Sequence, residues 1–458
     1  MSERAFESPD RLDRRGFLRA GALGAAGLAL GGAGVLGAAP ARAAFADYRA
    51  LVCVFLYGGN DAFNAFVPRS AAEHAVYARS RQNLAVPRDA LLPVSPSNPD
   101  GAQYGFHPRM TEVAGLFESG RLAVVANVGP LLVPVTKAEA LARARPVPPQ
   151  LFSHNDQQEQ WQTLKGAGPL ATGWAGRIAD ALAGEVGGQQ LPVAVSLAGT
   201  TSFQIGERSL PYVLGEDGAT TYFVLTNPQA AFHAERRAAF ERLLAAPTSN
   251  PIRRALVDVH RRSMGTAERV NAALAATPPL AATFPPGPLG AQLRMVARAI
   301  AARERLAIRR QVFLVAMGGF DTHDDQNRLQ PDLLGELSAG LGAFQGALDE
   351  LGVADRVVTF TQSDFGRTLT SNGDGTDHGW GAHQLVLGAP VRGRTVYGRM
   401  PRLEIGGPDD LGGGRIVPTL AVDQYAATLA RWFGVPDAQL DGIAPNLRQF
   451  AERDLGFV

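Results

Sequence analysis

The sequence is poor in cysteine and lysine, and these shortages exclude several classes of protein. Cys53 is the only cysteine among 458 residues, which excludes an internal disulfide bond and an iron–sulfur cluster with cysteine ligands. Lysine occurs only at Lys137 and Lys165, and the formal net charge is +1 without a clustered basic stripe, so no nucleic-acid partner is expected. No Gly-x-Gly-x-x-Gly pattern follows a predicted strand, which disfavours a dinucleotide-dependent redox protein. We interpret Cys53, inside an apolar run, as a small core residue.

The first 43 residues have the features of a twin-arginine export signal. Arg14 and Arg15 precede a weakly apolar run rich in glycine and alanine, which ends in a small-x-small cleavage sequence at 41–43. We therefore predict a signal peptide at 1–43, the twin-arginine export machinery as a partner, and a periplasmic or other extracytoplasmic location. No stable membrane span is expected after cleavage. Residues 44–458 carry 38 basic and 39 acidic side chains.

The apolar content of 46% is typical of a globular protein with a substantial core. Six short apolar runs, each followed by glycine or polar residues, predict strands that are covered on both faces. Helical patterns lie between them, which predicts an α/β fold with a mainly parallel, doubly wound sheet flanked by helices. The six runs lie at 50–59, 121–130, 191–199, 311–319, 356–362 and 383–391.

Residues 225–310 differ from the rest of the chain. They contain three consecutive helical patterns separated by proline-rich joints, which predict a helical insertion packed on the sheet. No internal repeat divides the remainder, so we predict that residues 44–458 form a single domain.

Acidic and imidazole side chains follow three of the predicted strands. In an open α/β sheet, ligands bind beyond the carboxyl ends of the strands. Oxygen and imidazole donors that converge there suit a divalent cation, whose charge would offset the clustered carboxylates. Asp61 and Asp364 are also placed to cap the helices that follow their strands, and this alternative stays open. The candidate metal ligands are Asp61, Asp321, His323, Asp364, His378 and His383.

Ser153 opens a predicted helix, and Asp156 follows three residues later. This spacing fits an N-terminal cap, but the position also suits a nucleophile, because free N–H groups stabilise an anion there. His154 would orient this serine or bind the metal. Arg367 is predicted early in a helix after Asp364, where it either pairs with that carboxylate or contacts a phosphate or sulfate oxygen.

Several motifs resemble a large bacterial family of unknown function, domain of unknown function 1501. The resemblance runs from about residue 50 to the C-terminus, with the motifs in the family's order. It implies the α/β sandwich of the alkaline phosphatase–sulfatase superfamily, which carries a metal cluster at its strand ends. The motifs are "FLYGGNDAFNAFVP", "FSHNDQQEQW", "GGFDTHDDQ", "SDFGRT", "DGTDHGWGAHQLVLG" and "FGVPDAQLDGIAPNL".

The resemblance also implies roles for individual residues. Asp61 matches the metal-binding Asp after the first strand, and Ser153 falls near the nucleophile at a helix cap. Asp321 begins an Asp-x-x-x-His pattern, Asp364 matches the Asp of an Asp-His pair, and the last histidine is His378 or His383.

Two positions depart from the superfamily's pattern. Asp325 stands where the histidine of the Asp-x-x-x-His pattern belongs, with His323 as a substitute, and Phe365 replaces the histidine of the Asp-His pair. The resulting ligand set is rich in oxygen, which favours Mg²⁺, Mn²⁺ or Ca²⁺ over Zn²⁺.

Two functional hypotheses follow. The first is an exported, metal-dependent hydrolase or transferase that acts on phosphate or sulfate esters of a small molecule or an envelope polymer. The second is a non-catalytic relative with the same fold, which binds metal or serves as an assembly or binding protein of the bacterial envelope.

Overall fold

The computed structural model describes residues 45–458, except residue 167 and residues 169–171. The predicted signal peptide and its cleavage sequence lie outside the described residues, so both stay predictions. Among the described residues, no helix combines the length and the apolar character needed to cross a bilayer.

A nine-stranded sheet forms the centre of the described part of the chain, accompanied by a three-stranded sheet and a two-stranded sheet. In chain order the strands are β1 (Arg49–Leu56), β2 (Phe66–Pro68), β3 (Leu92–Val94), β4 (Tyr104–Phe106), β5 (Leu122–Gly129), β6 (Ala194–Ser196), β7 (Tyr212–Val213), β8 (Arg310–Met317), β9 (Val357–Ser363), β10 (Arg367–Ser371), β11 (Thr376–His378), β12 (Ala382–Leu387), β13 (Val396–Tyr397) and β14 (Leu420–Ala421).

Strand pairing confirms the predicted mainly parallel sheet. The order is β13-β5-β12-β9-β1-β8-β6-β7, and β14 also pairs with β5. Only β12 runs antiparallel to its neighbours β5 and β9, whereas the other pairs of the central sheet are parallel. All six predicted strands form, and they occupy adjacent places from β5 to β6. β2, β4 and β3 form the three-stranded sheet, and β10 and β11 form the two-stranded one.

Helices cover both faces of the central sheet in the described part of the chain. They are α1 (Ala62–Ala65), α2 (Ala71–Arg81), α3 (Thr111–Glu118), α4 (Lys137–Leu141), α5 (His154–Thr163), α6 (Trp174–Ala181), α7 (Phe223–Thr226), α8 (His233–Ala245), α9 (Pro251–Ala275), α10 (Pro288–Ala301), α11 (Gln326–Glu350), α12 (Val422–Phe433) and α13 (Leu440–Ile443).

Alternate residues of β1 face two separate apolar cores, which explains why its sequence is apolar throughout. Val52 and Val54 pack in a core with residues of α3, α10 and α11, whereas Cys53 and Phe55 pack in a core with residues of α6 and α12. Cys53 is fully buried, as predicted for a small core residue, and burial raises the pKa of its thiol. The central sheet therefore lies between two helical layers.

The helices α7 to α10 lie between β7 and β8, in the region for which the sequence predicts a helical insertion. Their burial changes along the chain. α10 buries most of its residues, and α9 buries four residues in its C-terminal half, between Ala267 and Leu274. α8 buries none of its residues. The insertion is thus anchored by α10 and the end of α9, while α8 and the start of α9 face solvent.

The chain after Asp364 forms the hairpin β10–β11, and the prediction of a helix there is wrong. Arg367 opens β10 and pairs in register with His378 of β11. The alternating threonines of β10 suit a strand, and the sequence Asn-Gly-Asp-Gly at 372–375 suits the turn that follows. Asp364 therefore does not cap a helix.

Candidate metal centre

The register of β1, β8 and β9 brings three polar loops to one edge of the sheet. Leu56 at the end of β1 pairs with Met317 at the end of β8 and with Ser363 at the end of β9. Because the three strands are parallel and end level, the loops that follow them start side by side. A fourth segment, at the start of α5, reaches the same edge through His154.

Side-chain atoms of His154, Asp321 and His378 lie within 4.8 Å of one another. The Nε2 atom of His154 is 3.4 Å from Asp321 Oδ2, and the Nε2 atom of His378 is 3.3 Å from Asp321 Oδ1. His323 extends this group, because its Nε2 atom is 3.1 Å from Asp321 Oδ1 and 2.8 Å from His378 Nε2. Tetrahedral ligands bound at about 2.0–2.1 Å lie about 3.3–3.4 Å apart, which matches the distances from His154 and His378 to Asp321. His323 and His378 would have to move apart to bind the same ion.

Each of the three imidazoles has an acceptor behind its Nδ1 atom. His154 Nδ1 lies 2.6 Å from Asp364 Oδ2, and His378 Nδ1 lies 2.7 Å from the carbonyl oxygen of Phe152. His323 Nδ1 lies 3.3 Å from Asp377 Oδ1. An acceptor behind one ring nitrogen fixes the tautomer and aims the other nitrogen, an arrangement that metal-binding histidines share.

The hydrogen bonds of His154 and His378 make Nε2 the nitrogen that can offer a lone pair to an ion. A carboxylate or a carbonyl oxygen only accepts, so each Nδ1 atom carries a proton. Burial lowers the pKa of His378 despite the hydrogen bond to Phe152, which favours a neutral ring with a free Nε2 lone pair. His154 Nε2 is buried without a hydrogen-bond partner, and such an orphaned nitrogen fits a metal ligand.

His323 and His378 face each other through their Nε2 atoms, 2.8 Å apart. One of these two nitrogens donates to the other, and the Nδ1 atom of His323 lies 3.3 Å from Asp377 Oδ1. A histidine nitrogen binds an ion only without its proton, so the His323–His378 contact would be lost if both atoms became ligands.

Arg367 neutralises part of the negative charge of the site from below the surface. Its side chain is fully buried, and Nη1 donates to Asp321 Oδ1 at 2.7 Å, while Nη2 donates to the carbonyl oxygen of Thr376 at 2.6 Å. Burial raises the pKa of Asp321, but the bond and charge of Arg367 and the nearby imidazoles outweigh it, so this pKa is lowered. Asp321 is therefore a carboxylate at neutral pH, able to act as a ligand.

Glycines let the hairpin β10–β11 lie against the loop that carries Asp321 and His323. A Cβ atom added at Gly375 would overlap the carbonyl oxygens of Thr322 and His323. The close approach is held by the amide of Thr376, which donates to Thr322 O at 3.1 Å. The glycine-rich sequence after β9 thus brings His378 within reach of the other ligands.

Asp61 lies in a separate polar cluster of the same sheet edge. Its carboxylate forms an ion pair with Arg81, and both side chains are fully buried. Gln326 Nε2 donates to Asp61 Oδ2 at 2.6 Å, and Gln330 Nε2 donates to the backbone carbonyl at 2.9 Å. The structure therefore gives Asp61 a cationic partner from its own chain, and it makes no side-chain cap to α1.

His383 lies in the apolar core rather than with the other histidines. The amide of Asn127 donates to its Nδ1 atom at 3.1 Å, and the rings of Phe63 and Phe66 pack against it edge-on at 5.2 and 6.3 Å. Burial lowers the pKa of His383 to about 3, so the ring is neutral. The structure therefore does not bring His383 into the metal centre.

Ser153 precedes the first residue of α5 and adjoins His154. Its Oγ atom donates to Asp156 Oδ2 at 2.7 Å. The side chain accepts no capping bond from the backbone of α5, and the Ser153 amide donates to the carbonyl oxygen of Gln150 at 3.2 Å, so the predicted capping box is not formed. Phe152, just before it, has a positive φ of 73°, which a non-glycine residue adopts at a cost of about 1–3 kcal/mol.

The sequence pattern pointed to the three strand-end loops, and the structure adds the contacts of Asp364 and Phe365 with the histidines. Asp364 supports His154 from behind, and Gln158 Nε2 donates to the same oxygen at 2.9 Å. Phe365 packs against His154 and His378, with ring centroids 4.8 and 4.6 Å away. The adjacent donors are also richer in imidazole than the oxygen-rich set that was predicted.

Comparison with solved structures found 30 matching chains. The three that are described next have low sequence identity to this chain and low TM-scores. Ps i-CgsB in complex with k-i-k-neocarrahexaose is 8% identical with a TM-score of 0.33, and the alignment covers 85% of this chain and 73% of the other. The PsFucS1 sulfatase from Pseudoalteromonas sp. is 10% identical with a TM-score of 0.32, covering 85% and 68%. A second structure of Ps i-CgsB is 9% identical with a TM-score of 0.34, covering 89% and 78%. Similarity at this level does not transfer an activity to this chain.

Comparison with curated proteins found no match. A family model described as "Protein of unknown function (DUF1501)" matches residues 48–440. The match contains the strand-end loops, the start of α5 and the hairpin β10–β11, and thus every residue of the candidate metal centre. The chain therefore belongs to the DUF1501 family.

Proposed function

We propose that this protein is an exported, metal-dependent hydrolase or transferase of phosphate or sulfate esters. The observation that carries the proposal is the convergence of His154, Asp321 and His378, with each imidazole held from behind by an acceptor. The donors are partly open to solvent, since the side chain of Asp321 is 44% exposed and that of His378 is 23% exposed. An ion held there would keep a free position for a ligand, as catalytic metal sites do.

The donor set favours Zn²⁺ or another divalent ion that prefers nitrogen ligands. Two imidazoles and one carboxylate resemble catalytic zinc sites more than the all-oxygen sites of Mg²⁺ or Ca²⁺. Such an ion would polarise a phosphoryl or sulfuryl oxygen and stabilise the negative charge that develops during transfer.

Residues of the chain supply the remaining chemistry. We propose Ser153 as the nucleophile: its Oγ atom would form a bond to phosphorus or sulfur while the bond from that atom to the alcohol oxygen breaks. The Oγ proton would pass to Asp156 and from there to the departing alcohol oxygen, and water would then release the transferred group from Ser153. The free amides at the start of α5 favour the negative charge of the transferred group. Arg367 would act as a positioning residue, because it holds Asp321 in place and reduces the negative charge that an anionic ester meets.

The cellular setting belongs to the same proposal. The twin-arginine pattern in the first 43 residues would place the folded protein outside the cytoplasm, with the export machinery as its partner. Its substrate would be a small ester or an ester group on an envelope polymer.

A second function is favoured by one specific observation. Phe365 fills the space beside His154 and His378, and Asp61 is already paired with Arg81, so the described residues gather ligands for a single ion. A single ion, held without turnover, suits a metal-binding or assembly protein of the envelope.

The experiment that separates these functions measures metal content and turnover on the same preparations. We would purify the protein without chelators, determine bound metals by mass spectrometry, and assay aryl phosphate and aryl sulfate esters with Zn²⁺, Mn²⁺, Mg²⁺ or Ca²⁺. The hydrolase proposal predicts one bound ion, turnover, and loss of both in His154→Ala.

Ser153→Ala supplies the matched test of the nucleophile. We expect it to bind metal like the wild type and to lose at least about a hundredfold in turnover. Metal binding without turnover in the wild type would favour the second function. A wild-type protein that binds no ion would contradict both.

A further inference from the structure

Exposed apolar side chains are concentrated in one region of the described chain. Nine of the eleven large apolar residues that are exposed there lie between residues 210 and 259, and the other two are Leu141 and Ile405. The most exposed are Ile252, at 78%, and Phe232, at 72%. Single exposed apolar residues are ordinary on protein surfaces, but a cluster of this kind marks an interaction surface.

The start of α9 presents these residues as a stripe. At 100° per residue, Ile252, Leu256 and Val259 fall within about 60° of one another around the helix axis. All three are more than half exposed. Arg253 and Arg262 lie on either side of the stripe, at about 100° and 80° from Ile252, and both are exposed.

The helix α8 completes the surface. Phe232 precedes it, and Leu243 in its last turn is 62% exposed. α8 is held against α9 by Arg261, whose Nη2 atom donates to the carbonyl oxygen of Leu244 at 3.0 Å. Leu243 and Ile252 flank the short connection between the two helices, so apolar side chains lie at the tip of the pair. We call residues 232–262 the basic hairpin.

The charge of the basic hairpin is opposite to that of the remaining domain. Residues 232–262 contain seven arginines and three acidic residues, a net charge of +4, whereas residues 44–458 as a whole carry −1. The rest of the domain therefore carries −5. Such a positive segment with exposed apolar side chains complements a surface that carries negative charge on the outside and has an apolar layer below that charge.

We propose that the basic hairpin docks on the surface of an anionic phospholipid bilayer. The apolar stripe of α9 and the side chains at the hairpin tip would enter the headgroup region, and the flanking arginines would contact lipid phosphates while their methylene stems cover apolar surface. The inference does not rest on the proposed ester chemistry, because it uses none of the residues of the metal centre.

The test measures how the full-length protein partitions onto lipid vesicles by flotation. We expect binding to vesicles rich in phosphatidylglycerol, weak binding to phosphatidylcholine vesicles, and a loss of binding as salt rises. The double variant Ile252→Ser/Leu256→Ser removes the stripe, and Arg253→Glu/Arg262→Glu reverses its flanking charge. Each is expected to lower the partition coefficient at least about tenfold.

Two matched variants control for composition. Leu141→Ser/Ile405→Ser removes the two exposed apolar residues outside the region, and Arg79→Glu/Arg88→Glu changes the net charge by the same amount on another surface. Both are expected to bind vesicles like the wild type. The full chain is used throughout, so residues 1–43 contribute equally to every sample, and circular dichroism checks that each variant is folded.

Two results would overturn the proposal. One is an equal loss of vesicle binding in the hairpin variants and their controls, or no loss in either. The other is a dimer in sedimentation velocity that disappears in Ile252→Ser/Leu256→Ser, which would assign the surface to a second copy of the chain.

Discussion

The Nδ1 atom of His154 lies 2.6 Å from the Oδ2 atom of Asp364, and the opposite nitrogen of the same ring faces Asp321 at 3.4 Å. The buried carboxylate orients the imidazole, and Asp364 is thus placed to act on an ion through His154.

Asp364→Asn is expected to weaken Zn²⁺ binding about ten- to hundredfold while leaving the ligand atoms in place. The amide oxygen still accepts a hydrogen bond from His154, but it lacks the charge that increases the ring's basicity. Competition with a chromogenic chelator measures the affinity. Asp377→Asn is the matched control, because that carboxylate backs His323 from an exposed position, and we expect a change of less than about threefold.

Equal effects of these two substitutions would contradict the role assigned to Asp364. So would unchanged metal affinity in Asp364→Asn together with normal stability.

The sheet and the edge that carries the site could be predicted, because both depend on local patterns. The six apolar runs became adjacent strands, and a parallel sheet places the loops after its strands together. The individual roles depended on contacts between distant segments. Arg81, which neutralises Asp61, belongs to a helix whose sequence gives no sign of a buried charge. Likewise, Asp364 and Phe365 are adjacent in sequence, but only the packing of α5 shows that Asp364 holds His154 by a hydrogen bond while Phe365 packs against its ring.

Asp61→Asn is expected to lower the free energy of unfolding by about 3–5 kcal/mol, because it leaves the buried guanidinium of Arg81 without its charge partner. Urea denaturation monitored by fluorescence measures this change. Zn²⁺ affinity of the folded protein should stay close to that of the wild type, since the ligands in the centre are other residues. A complete loss of metal from folded Asp61→Asn would instead make Asp61 a ligand.

Gly375→Ala is expected to disturb both stability and metal binding. The added methyl group would overlap the backbone of Thr322 and His323, so the hairpin β10–β11 must move away and take His378 with it. We expect a loss of about 1–3 kcal/mol in unfolding free energy and a weaker metal site.

Gly346→Ala is the matched control for that substitution. Gly346 lies within α11, where an added Cβ meets open space, so alanine should stabilise the protein by up to about 1 kcal/mol. The two alanine substitutions are therefore expected to have opposite signs. A Gly375→Ala protein as stable as the wild type, with full metal content, would show that the close approach is not required.

His383 is expected to make the protein sensitive to mild acid. Burial lowers the pKa of His383 to about 3 in the folded protein, against about 6.5 in the unfolded chain, so between these values the unfolded state binds more protons. The contribution of the neutral ring to the free energy of unfolding is therefore fully present above pH 6.5, and it falls by up to about 1.4 kcal/mol per pH unit below that pH.

His383→Asn keeps an acceptor for the amide of Asn127 and removes the titrating group. We expect the variant to be less stable than the wild type at pH 7.5, because a cavity replaces the ring, and to lose less stability between pH 6.5 and pH 4.5. Urea denaturation at these pH values measures both quantities, and parallel stability curves for the two proteins would show that His383 is not the group responsible.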